Sequence, residues 1–118
     1  MNNVTLIGRL TKDPELKYGQ SGKAYAKFTL AVKRTYSKDE VDFINCVAFG
    51  KTAELIAEHL NKGTRLGIFG SLQMNKYEVN GEKRINYEVM VQHIEFLESK
   101  KEAIEDFDED EYFNGIPF

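Results

Sequence analysis

The sequence contains no tryptophan and a single cysteine, Cys46. One thiol makes neither an internal disulfide nor a zinc cluster, so a reducing cytoplasm is the expected compartment. No run approaches the roughly 18 continuous apolar residues of a membrane helix. The opening MNNVTLIGRL lacks the basic segment, apolar stretch and cleavage site of a secretory signal, so the protein is expected to stay where it is made, with no membrane partner. Catalytic patterns are missing as well. Gly50-Lys51-Thr52 resembles the end of a phosphate-binding loop, but the glycine required five positions earlier is Asn45, and Cys46–Phe49 has a strand pattern. His59 and His93 show no ligand spacing. Cys46 alternates with Ile44 and Ala48 on an inward pattern and reads as an inert core thiol. No nucleophilic triad or carboxylate pair is spaced for chemistry. Neither an enzyme nor a cofactor or metal is expected.

What is present begins with an uneven charge. The 118 residues carry a net charge of -3. Residues 1–97 hold 14 Lys and Arg against 11 Asp and Glu, a balance of +3, whereas residues 98–118 hold 2 Lys against 8 acids, a balance of -6. A basic body with an acidic end suits a polyanion-binding domain joined to an interaction segment. The predicted division is a domain over 1–98 and a disordered acidic tail over 99–118.

The body reads as mostly strand. VTLIGRL places Val4, Leu6 and Leu10 on one side and Arg9 on the other, and Pro14, Gly19 and Gly22 then break the chain. In AKFTLAVKRTY, Ala26, Phe28, Leu30 and Val32 face one way and Lys27, Thr29 and Lys33 the other. VDFINCVAFG is a third strand. KTAELIAEHLNKG is helical, with Ala53, Ile56, Ala57 and Leu60 on one face, an i,i+4 pair of Glu58 and Lys62, and Gly63 where a C-terminal cap belongs. Two long strands follow, joined by Asn80-Gly81, the strongest short hairpin signal. Three strands, a helix and two strands give the order of an all-β, five-stranded OB-fold Greek-key barrel with its helix between strands three and four.

On that barrel, cations are interleaved with aromatics. Tyr36 follows Lys33 and Arg34; Phe43 and Phe49 share the face opposite Ile44, Cys46 and Ala48; Tyr77 follows Lys76 on a strand face with Gln73 and Asn75. Lys51, Lys83 and Arg84 lie close in sequence or across the hairpin. Single-stranded nucleic acid needs this combination, because cations track phosphates while aromatic faces stack unpaired bases. Phe28 and Phe69 are expected in the core, Phe49 is balanced between core and surface, and Tyr77 is expected outside. Tyr36 shares parity with Phe28, Leu30 and Val32, so a bulge or twist must turn it outward. These residues suit DNA and RNA alike, since the 2′-hydroxyl contacts that separate the two leave no sequence signature. A metal-dependent nuclease on the same fold is the enzyme alternative.

The segments MNNVTLIGRLTKDPELKY, FTLAVKRTY and DFINCVAFGKTAELIAEHLNKG, with the IPF ending, together resemble the bacterial single-stranded DNA-binding proteins. The resemblance implies an OB fold, a homotetramer, and sequence-independent wrapping of single-stranded DNA in replication, recombination and repair, in a cytoplasmic, nucleoid-associated protein. It places the base-stacking positions on Tyr36, Phe43, Phe49 and Tyr77. Three of these are tryptophan in the best-known relatives. Here Tyr and Phe must do the stacking. The family's long Gly/Gln/Pro-rich linker is also absent, with acids beginning almost directly after Leu97. The Val4–Leu10 edge is the expected site of self-association.

The final DEDEYFNGIPF combines acids with a greasy tip. Such a segment cannot bury enough apolar area to fold alone. Yet Ile116 and Phe118 add nothing to solubility, and Pro117 between them restricts the backbone and lowers the entropy lost on docking. Ile116, Pro117 and Phe118 are the expected docking residues for a partner protein. Asp108, Glu109, Asp110 and Glu111 would steer them to basic surfaces. In the resembling family this tip recruits replication, recombination and repair proteins.

Overall fold

The computed structural model describes residues 1–98 except residue 38; the expected tail, 99–118, lies outside the described residues. Seven elements follow in order: β1 (Val4–Leu10), β2 (Glu15–Tyr18), β3 (Ala24–Lys33), β4 (Val41–Phe49), α1 (Gly50–His59), β5 (Arg65–Val79) and β6 (Glu82–Phe96). They form one sheet in the order β1-β5-β6-β4-β3-β2, and a further β1–β3 pairing closes it into a barrel. β4 and β6 run parallel through Cys46↔Val89 and Val47↔Met90; the other pairings are antiparallel. The helix follows the third barrel strand, so this is the expected OB architecture. β2 is a short addition outside the five barrel strands, on the free edge of β3.

Alternation fills the barrel. Ala24, Ala26, Phe28 and Leu30 of β3, Cys46 and Ala48 of β4, Leu66 and Ile68 of β5, and Val89 and Val91 of β6 are buried. Ala53 and Ile56, on one helical face at i and i+3, close one end of this cluster, and Leu60 joins them from the extended residue just past the helix. Gly70 has no room for a side chain: a Cβ there would collide with the Met90 carbonyl, at the irregular step between Phe69 and Gly70 where the β5–β6 ladder shifts register. The β5–β6 pair then leaves the barrel as a projecting arm. From Leu72 to Tyr87 every residue is exposed save the half-buried Asn75. The arm ends at Asn80 (φ 52) and Gly81 (φ 80), a two-residue turn with both φ positive between Val79 and Glu82, as the Asn-Gly signal requires.

β1 has two unlike edges. One is paired along Val4–Arg9 with β5, and beyond it the Asn2 amide takes over, donating to the Leu72 carbonyl and accepting from the Leu72 N–H, both at 2.8 Å. On the other edge only Arg9 and Leu10 pair with β3. Among the described residues no strand covers Val4–Gly8 on that side. No helix among them is long and apolar enough to cross a membrane.

Four expectations need correction. Phe69 is exposed, at 42%, because Leu66, Ile68 and Gly70 take the inward positions of β5. The helix stops at His59, and Leu60 leaves it in an extended conformation, so Lys62 is beyond the helix and no i,i+4 helical pair with Glu58 exists. For the same reason Gly63 is not a helix cap. Its positive φ (88°) serves the following turn, where its N–H donates to the Leu10 carbonyl at 2.9 Å. Finally, β3 ends at Lys33 and not at Tyr36, so no bulge is needed to turn Tyr36 outward.

Candidate nucleic-acid interface

By period-two alternation Phe43, Asn45 and Phe49 share the face of β4 opposite Cys46 and Ala48, and Val47, which has the same parity, is covered (2% exposed). Phe43 is half-buried and Phe49 is 38% exposed. Across the ladder, Phe43 faces Ala31, Asn45 faces Thr29 and Phe49 faces Tyr25. Tyr36 stands in the turn after β3, closed by the Ser37 N–H donating to the Arg34 carbonyl, and is 85% exposed. Nothing in the fold requires its ring.

The arm adds a further aromatic. Tyr77 is 48% exposed and sits directly across from Arg84. Asn75, Asn86, Gln73 and Glu88 share their face, with Asn75 Nδ2 donating to Glu88 Oε1 at 2.7 Å. This face runs on without interruption into β4: Asn86 and Glu88 line the same recess as Asn45 and Thr29, a hollow of about 570 Å³. The recess thus lies between the strand face that carries Tyr77 and the one that carries Phe43 and Phe49.

The cations are divided. Lys51 lies in the first turn of α1, two residues beyond Phe49, and is exposed. Lys76 and Lys83, expected beside Tyr77, occupy the opposite face of the arm, because Lys76 is across from Ile85 and Lys83 from Glu78. Lys33 is exposed at the end of β3. Arg34 is committed within the protein. Its guanidinium donates to both Asp42 oxygens at 3.0–3.2 Å and to Glu40 Oε2 at 2.6 Å. The Arg34 hydrogen bond holds the Asp42 carboxyl below its ordinary range, and Asp42 in turn raises Arg34.

Two features escaped the sequence reading. Tyr25 has the parity of Lys27 and Thr29, a signal that could have placed it outward beside Phe49, and Lys23 Nζ lies 5.3 Å from the centre of the Phe49 ring. The other is an apolar face on the arm: Leu72, Met74, Ile85 and Tyr87 are each 45–57% exposed on the side away from Tyr77. With Ile7 (58%) on β1 and Phe69 on β5, across the paired edge of β1, these are more greasy side chains than a lone barrel gains from exposing.

His59 and His93 are exposed, each beside a glutamate, Glu58 and Glu95 respectively. Cys46 is 1% exposed, and burial pushes its thiol up to about 12, with the Glu88 charge adding to the effect. The inward reading of Cys46 holds.

A profile of the single-strand binding protein family matches residues 1–97. The chain is 54% identical over 106 residues to a single-stranded DNA-binding protein of Fusobacterium nucleatum, covering 85% of this chain and 69% of that one. It is 50% identical over 101 residues to a single-stranded DNA-binding protein of Clostridium perfringens, covering 84% and 67%. To single-stranded DNA-binding protein 2 of Listeria monocytogenes it is 45% identical over 119 residues, covering 97% and 74%.

Proposed function

The chain belongs to the single-strand binding protein family, and on that footing we propose that it binds single-stranded DNA without sequence preference and keeps it unpaired during replication, recombination and repair. The carrying observation is the surface from Tyr77 through Asn86 and Asn45 to Phe43 and Phe49. Tyr77 and Phe49 are exposed there, at 48% and 38%, and Phe43 is partly so. Unpaired bases offer two π-faces to such rings; duplex bases offer none. The amides between the rings donate and accept with any base, which suits binding without readout. Lys33, Lys51 and Arg84 border this surface, Lys76 and Lys83 reach the strand from the far side of the arm, and Arg34 contributes once displaced from its carboxylates.

Titration with labelled dT oligomers and matched duplex tests this. Expected is affinity for the single strand well above that for duplex, with log K falling linearly as log salt rises. Equal affinity for both would overturn it. Competition with a matched RNA oligomer separates DNA from RNA binding.

The domain–tail division at residue 98 and the remaining roles belong to the same proposal. Four copies associate through the open Val4–Gly8 edge and the apolar faces around Ile7, Phe69, Leu72, Met74, Ile85 and Tyr87, which supply both a strand edge and a surface to cover. Ile116, Pro117 and Phe118 dock replication and repair proteins, guided by Asp108–Glu111. The support for this last role lies in the chemistry of the sequence, a small apolar anchor behind a run of acids.

A further inference from the structure

Tyr25 is a further ring beside Phe49. It stands across the β3–β4 ladder from Phe49, with ring centres 6.4 Å apart and planes tilted by 41°. It is half-buried, and its inward neighbours Ala24 and Ala26 fill the barrel without it. Three lysines surround the two rings. Lys23 Nζ lies over Phe49, Lys17 is in register with Tyr25 on β2, and Lys27 follows on the same face of β3. Acids share this region: Glu15 is across from Lys27 and 3.7 Å from Lys17, and Asp13 and Glu88 line the same recess. The Lys17–Glu15 pair is exposed on both sides (60% and 78%), so it is weak and readily exchanged for a phosphate. Tyr25, Lys17 and Lys27 also border the recess that reaches Asn45 and Asn86. A hollow of about 570 Å³ falls within the 300–1,000 Å³ range in which proteins hold small ligands.

We propose that Tyr25 is a nucleotide-stacking residue, carrying the bound strand from Phe49 across β3 to the β2 edge, where Lys17, Lys23 and Lys27 receive its phosphates. The inference rests on the reading of the chain as a single-strand binder. The ring separation of 6.4 Å exceeds the roughly 3.4 Å rise of a stacked strand, so the two rings serve neighbouring nucleotides drawn apart by an extended backbone. Continuity decides the direction. Phe49 ends β4, and beyond it on this face the next ring is Tyr25, flanked by positive charge.

The absence of tryptophan makes the test direct, because Tyr25→Trp introduces a single indole into the full-length chain. Titrated with poly(dT), its fluorescence should be quenched in step with saturation, followed independently by the anisotropy of a labelled dT oligomer. Tyr25→Phe should bind like the unmodified chain. Tyr25→Ala should lose roughly five- to hundredfold in affinity, the range of one base–aromatic stack. Its melting temperature should hold within a few degrees. An indole that stays bright at saturation, or a Tyr25→Ala chain that binds normally, would overturn the role of Tyr25. If Tyr25→Ala melts too low to titrate, the indole signal decides alone. Failure of the unmodified chain to bind dT oligomers would overturn the parent reading as well, so the two failures are distinguishable.

Discussion

Arg9 and Glu98 meet at 2.9 Å, and the same Glu98 oxygen accepts the Arg65 backbone N–H at 2.8 Å. The first acid after the basic body is thus held inside it, tying the segment after β6 to the end of β1 and the start of β5. Both side chains are mostly covered (22% and 13% exposed), so salt screens the pair less than a surface one. Glu98→Ala should cost about 1–3 kcal/mol by removing a charge-assisted acceptor from two donors. A thermal melt should fall by several degrees, at low and high salt alike.

Arg34 can be released without touching it. Asp42→Asn removes one charge and weakens the fork that holds the guanidinium. We expect tighter single-strand binding at low salt. We also expect a slope of log K against log salt that steepens by about 0.7 for one added phosphate contact. An unchanged slope would show that Arg34 stays with Glu40 and faces no phosphate.

Tyr77 and Phe28 should separate binding from folding. Tyr77→Ala should lose about 1–3 kcal/mol of single-strand affinity with little change in melting temperature. Phe28, 8% exposed in the barrel, should cost about 3–5 kcal/mol of stability when replaced by Ala. A Tyr77→Ala chain that melts low yet binds normally would reverse the assignment of faces.

Cys46 should give a pH signature. Burial raises its thiol from the ordinary 9.0 to about 12, so between those values the unfolded chain has lost a proton that the folded chain keeps. Stability contributed by the neutral buried thiol is therefore complete below pH 9 and declines as pH rises toward 12. The urea midpoint should drop more between pH 8 and pH 10.5 in the unmodified chain than in Cys46→Ala. At pH 8 the native thiol should be silent toward a disulfide reagent and react on denaturation.

Removing the ring of Phe118 tests the docking role. Phe118→Ala should abolish capture of replication and repair proteins while leaving affinity for dT oligomers unchanged. Normal capture would reduce the segment to a solvated charge run.

The barrel order was legible because period-two alternation and the Asn80-Gly81 turn are local signals. Tyr77's exposure was legible for the same reason, through its parity with Gln73 and Asn75. The errors came from termini and from context. Spacing alone carries the helix on to Lys62 and Gly63, since nothing in Leu60 announces that the backbone turns extended there. Phe69 was assigned inward on hydrophobicity alone, although its parity with Gly67 opposes Ile68. The split of cations across the arm is written in the alternation of Lys76 and Tyr77, yet proximity in sequence suggested the opposite. Arg34's engagement could not be read at all, since Glu40 and Asp42 reach it only after β4 folds back along β3.

The unlike edges of β1 also set a limit on symmetry. Asn2 closes the paired edge with its own amide, which leaves the other side of Val4–Gly8 as the stretch a second copy could extend. Two identical strands joined antiparallel along one edge are related by a twofold axis, and each covers the edge it borrows. Growth through this edge stops at a pair. Any larger closed assembly must then use a different surface, and a continuous fibre cannot be built from β1 alone.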